Sequence, residues 1–113
     1  MHRRSDPVLV QYRRVALVEL ATARDAVDRD CLSIEADVVF DALARIADMA
    51  SMLRHRRTCA LIAAIVSCDA CAFETHDWHR MLDAVQRLTS GGRPDPSILA
   101  DLRARGRSVI SVR

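Results

Sequence analysis

The sequence predicts an all-α fold: a small four- to five-helix bundle forming a single domain over residues 1–113. Three observations carry this expectation. Aromatics are only 4% of the chain while Ala, Val, Leu and Ile abound. That denies a sheet its cross-strand anchors and lets helices approach closely. Only three Gly and three Pro occur, too few for the many turns of an all-β chain. Apolar and polar residues separate onto stripes at helical spacing along several segments.

The first helix is expected from about Pro7 to Arg29. Asp6 is a good N-cap, and Pro7 suits the first helical position because its missing N–H would be unpaired there anyway. Leu9, Ala16, Leu20, Ala23 and Val27 share one stripe. Gln11, Arg14, Thr22, Asp25 and Arg29 share the opposite one. A second helix is expected from about Ile34 to His55, with Ser33 as N-cap and Arg54, Arg56 and Arg57 at its basic end. The few residues between these two helices imply an antiparallel hairpin.

The third helix, about 59–73, is apolar nearly all round, which places it at the centre of the bundle. Its alanines decide for helix over strand. The fourth runs from about His76 to Thr89. Thr75 is its N-cap, Gly91-Gly92 is its stop, and Trp78, Met81, Leu82, Val85 and Leu88 are its buried face. The fifth starts at Pro96 after Asp95 and stops at Gly106. A short flexible N-terminus (1–5) and a C-terminal tail (107–113) flank the bundle, the tail forming a short strand or a docked extension.

All seventeen basic residues are Arg, against fifteen acids. The absence of Lys and Asn reads as a codon effect of a high-GC bacterium or its phage. A net charge of +2 is too small to imply an electrostatic partner by itself. Cys31, Cys59, Cys68 and Cys71 follow no secretory signal, since Met1-His2-Arg3-Arg4 leads at once into Asp6-Pro7. Reduced thiols and a cytoplasmic location are expected. The longest apolar stretch, 59–73, is too short to span a bilayer, and no membrane partner is expected.

Three constellations could carry function. Cys68-x-x-Cys71 followed by His76-x-x-His79 offers four ligands of the kinds zinc prefers. Zinc is therefore the one candidate cofactor, although the step from Cys71 to His76 is shorter than a zinc-finger gap. The same Cys pair lies near a helix C-terminus, where the dipole opposes a redox-active thiolate. Two arginine clusters, Arg54/Arg56/Arg57 and Arg103/Arg105/Arg107, could meet phosphates of a nucleic acid or simply cap helix ends. Surplus apolar residues, Val15 and Val18 on the first helix and Met49 and Met52 on the second, lie off the main stripes and call for a covering chain. No Gly-rich phosphate loop and no GxSxG is present, so no enzyme and no catalytic residue is expected. The expected role is protein–protein interaction, as an adaptor, regulator or inhibitor acting as a homodimer or in a hetero-complex.

Overall fold

The computed structural model describes residues 7–29, 36–70 and 73–111. They form α1 (Pro7–Arg29), α2 (Ala36–Met52), α3 (Arg56–Val66), α4 (Thr75–Thr89) and α5 (Ser97–Ser111). Among the described residues there is no strand, and no helix is long and apolar enough to cross a membrane. The all-α bundle read from the sequence is the fold.

α1 and α2 form the antiparallel hairpin. An ion pair from Glu19 to Arg45 at 2.9 Å and an edge-on contact of Tyr12 with His55 at 5.1 Å fix their register. α4 runs antiparallel along α1, because His79 meets Asp28 at one end and Arg24 meets Asp83 a turn further on. α5 lies against α3 and returns along α4, to which it is tied by Arg80–Asp101 and Arg105–Asp77. Leu20 and Val27 of α1, Leu43 and Ile46 of α2, Ile65 of α3 and Leu82 of α4 meet in the fully buried core.

Scarce aromatics are concentrated where they bury most. Trp78, 1% exposed, packs between Phe40 at 6.0 Å and Phe73 at 5.0 Å, both inclined rather than face to face. The fourth aromatic, Tyr12, is wholly buried. Its hydroxyl reaches the Thr58 hydroxyl at 3.5 Å, so the first turn of α3 is pinned to α1.

Two helices end in the same hydrogen-bond pattern with different residues at its strained position. At the end of α4, Gly92 N–H bonds Arg87 C=O at 2.7 Å and Gly91 N–H bonds Leu88 C=O at 3.2 Å. Gly91 stands at φ +87°, a left-handed conformation that costs glycine little. At the end of α2, His55 N–H bonds Ala50 C=O at 2.8 Å and Arg54 N–H bonds Ser51 C=O at 3.1 Å. Here the left-handed residue is Arg54, at φ +61°, where a Cβ is unfavourable.

Several boundaries differ from the sequence reading, each for a local reason. The Arg54 reversal ends α2 at Met52 and starts α3 at Arg56, so Arg56 and Arg57 open a helix rather than close one. α3 stops at Val66 instead of running to residue 73. There Ser67 turns its hydroxyl back to Ala63 C=O at 2.7 Å and the chain tightens, with Cys68 N–H on Ile65 C=O. α3 packs on α2, α4 and α5, yet one side stays open: Ala60 and Ala63 are exposed and Val66 is 42% exposed. The cap of α4 is Glu74, one residue before Thr75, and the Asp77 carboxylate accepts the Glu74 N–H at 3.1 Å. α5 continues through Gly106 to Ser111, so the expected strand or docked tail is helix as far as it is described. A lone Gly accepts right-handed helical angles as readily as left-handed ones, and nothing equivalent to the Gly91-Gly92 bonds stops the helix there. Residues 1–5, Ser33 and Cys31 lie outside the described residues.

Candidate functional site

Where α3, the 90–96 connection and α5 meet, they leave a groove of about 650 Å³. Ala60 and Leu61 come from α3, Leu88 from the last turn of α4, and Ile98 and Leu99 from the first turn of α5. Pro94 and Pro96 add apolar wall, and exposed Arg57, Arg93 and Asp95 complete the lining.

Local bonding shapes this wall. The Gly91-Gly92 turn closes α4 and redirects the chain. Asp95 then caps α5: its carboxylate accepts the Ser97 N–H at 3.0 Å and the Ser97 hydroxyl at 2.9 Å. Arg80 holds the start of α5 from α4, donating to Asp95, Ser97 and Asp101. Those Ser97 and Arg80 bonds keep the Asp95 carboxyl below the usual carboxylate range, the Ser97 amide first among them. Asp95 is thus already engaged within its own chain.

The arginines sort into two sets. Arg24, Arg29, Arg45, Arg80 and Arg105 each hold a carboxylate. Arg13, Arg14, Arg54, Arg56, Arg57, Arg87, Arg93 and Arg103 hold none among the described residues, and all of these but Arg103 stand toward one end of the bundle. Arg57 and Arg93 line the groove. Arg87 and Arg93 line a second recess beside it. Arg13 of α1 reaches to within 3.9 Å of where a Cβ at Gly91 would stand. Arg54 and Arg56 line a third recess with Ser51, His55 and Cys59. The two sequence clusters are separated. Antiparallel α5 carries Arg103 and Arg105 to the opposite end, where Arg105 meets Asp77 at 3.4 Å and lies 5.4 Å over the Phe73 ring. The side chain of Arg107 lies outside the described residues.

Helix dipoles do not account for the unpaired set. Three N-termini (α1, α3, α5) and two C-termini (α2, α4) share that end, so the dipoles nearly cancel there. Arg56 and Arg57 stand in the first turn of α3, where a cation is unfavourable. His55 precedes them without a capping side-chain bond.

Of the zinc candidates, Cys71 lies outside the described residues. Cys68 is buried, with its thiol directed at Ala64 C=O (3.4 Å) and Leu102 C=O (3.5 Å). Burial pushes that thiol up, only partly offset by Arg105, which disfavours the thiolate a metal needs. His79 Nε2 lies 2.8 Å from Asp28, and His76 is exposed. Among the described residues no three His, Cys, Asp or Glu side chains gather as a metal-binding group.

Of the interface candidates, Val18 is 65% and Met52 78% exposed. Val15 and Met49 are half-buried, Met49 against the core. One turn beyond the Glu19–Arg45 pair, the antiparallel register sets Val15 of α1 alongside Met49 of α2, with Met52 beyond. Sequence reasoning missed the groove itself and the contributions of Arg13, Arg87 and Arg93 to the basic end.

No protein-family model, no curated protein and no solved structure matches the chain.

Proposed function

We propose that this chain is a binding module, not an enzyme, and that it takes an amphipathic helix of a protein partner into the groove between α3 and α5. One observation carries the reading: about 650 Å³ of concave, mainly apolar surface, within the ordinary range for ligand sites. Helix-in-groove recognition needs an apolar floor for the partner's stripe. Leu61, Leu88 and Leu99 supply it. Exposed Ala60 beside them leaves room for a partner backbone to come close.

The test uses a synthetic amphipathic helix with a leucine stripe and a glutamine polar face, labelled for fluorescence anisotropy. Ala60 is exposed at the groove, so Ala60→Asp places a carboxylate beside the apolar floor without removing a side chain from the core. The variant is expected to lose at least about tenfold in affinity, the cost of leaving a charge against an apolar face, with its melting temperature little changed. Equal binding by both proteins would refute the assignment.

A second reading, self-association through the outer seam of α1 and α2, is favoured by the exposure of Val18 and Met52. Apolar side chains this open commonly mark a covered surface, and symmetric dimers are the commonest closed solution. Sedimentation velocity at tens of micromolar is expected to show a dimer that Val18→Glu with Met52→Glu disperses. A monomeric wild-type protein would eliminate this reading.

A further inference from the structure

We infer that the partner helix in the groove is acidic, its polar face carrying Asp and Glu that meet Arg57 and Arg93. The inference rests on the groove reading and adds the chemistry of the partner. Arg57 and Arg93 are exposed, line the groove, and hold no carboxylate among the described residues. The lining has one acid, Asp95, and its carboxylate is engaged by Ser97 and Arg80. Beyond the groove the same end gathers Arg13, Arg54, Arg56 and Arg87 against one further exposed acid, Asp48 near the end of α2, while Asp25, Asp28, Asp37, Glu74 and Asp77 stand toward the other end. The chain therefore presents a concentrated positive field despite a net charge of only +2. Such a field speeds encounter with an acidic partner and repels a basic one.

The arrangement at Arg54–Arg57 breaks three local preferences in four residues. Arg54 occupies a left-handed position, His55 caps without a capping bond, and Arg56 and Arg57 open a helix. Each raises the local energy, and none is relieved by an ion pair among the described residues. Violations clustered like this are what a binding function leaves behind.

An acidic protein segment fits better than a nucleic acid. The arginines border an apolar groove, which a phosphate backbone does not use. Trp78, Tyr12 and Phe73 are buried and Phe40 is half-buried, so no exposed Trp, Tyr or Phe offers a platform for base stacking among the described residues.

The experiment compares three helical peptides with one leucine stripe and polar faces of Glu, Gln or Lys, together with a DNA duplex. Each is titrated into the full chain by anisotropy at about 0.05 M and about 0.5 M salt, where screening differs strongly. The Glu peptide is expected to bind about tenfold tighter than the Gln peptide at low salt, an advantage that largely disappears at high salt. Arg57→Glu with Arg93→Glu should reverse the order of the Glu and Lys peptides. The milder Arg57→Gln with Arg93→Gln should merely level it, and covers the case in which charge reversal disturbs folding. Equal binding of the Glu and Gln peptides would overturn the charge inference while leaving the groove reading intact. Binding of DNA, and of no peptide, would overturn both.

Discussion

Replacing Trp78 by Ala should cost about 3–5 kcal/mol of stability, the usual range for emptying a large aromatic from a core. A small domain has only about 5–15 kcal/mol in total. The variant is therefore expected to melt at least about 12 °C lower than wild type, or to be partly unfolded at room temperature. The physical reason is the position of Trp78 between Phe40 and Phe73, where one side chain joins α2, the segment before α4, and α4 itself. The indole N–H finds no acceptor among the described residues, so the loss would come from packing rather than from a broken hydrogen bond. Trp78→Phe separates the two. It keeps a ring in the cluster and should lose much less, about 1–2 kcal/mol. Urea denaturation of both variants by circular dichroism checks this. Equal losses for Phe and Ala would contradict the packing account.

Arg54→Gly should have the opposite sign. A left-handed position costs a residue with a Cβ roughly 1–2 kcal/mol, and glycine's own entropy returns about half of that. The net expectation is a gain of about 0.5–1 kcal/mol, seen as a rise of a few degrees in melting temperature. The two Schellman ends make the comparison internal to the chain. Gly91 already occupies the equivalent position after α4 without penalty, so Arg54→Gly merely gives the α2 end the same solution. Arg54→Ala keeps a Cβ and should show no such gain. A destabilised Arg54→Gly would mean that the Arg54 side chain supports the corner in some way beyond its backbone angle.

The bundle was legible in the sequence because its amphipathic stripes are strong. Ala16, Leu20, Ala23 and Val27 of α1 are buried and Gln11, Arg14, Thr22, Asp25 and Arg29 are exposed, as their spacing requires. Trp78, Met81, Leu82 and Val85 likewise form the buried face of α4. The start of α1 at Pro7 and the end of α4 at Thr89 were marked by Pro and by Gly-Gly. Less legible was the corner at Arg54, because nothing in Leu-Arg-His-Arg signals a left-handed residue; Gly or Asn would have.

The groove was present in the sequence only as a surplus. α3 is apolar on more faces than one packed helix can bury, and that excess was assigned to a central position. In the structure part of it is open, and Ala60 with Leu61 becomes groove lining. The other wall comes from residues 88–99, far along the chain and brought near by the 90–96 connection. Likewise, neighbours in sequence suggested two arginine clusters, whereas helix direction decides which arginines meet. Antiparallel α5 sends Arg103 and Arg105 away, while Arg13, Arg87 and Arg93 join Arg54–Arg57 from three other segments.

Methyl-resolved nuclear Overhauser spectra of the full chain with the Glu-faced leucine peptide test the central claim most directly. The groove account predicts intermolecular contacts from the peptide's leucine methyls to Leu61, Leu88, Ile98 and Leu99. Contacts confined to Val15, Val18 and Met52 on the α1–α2 seam would contradict it.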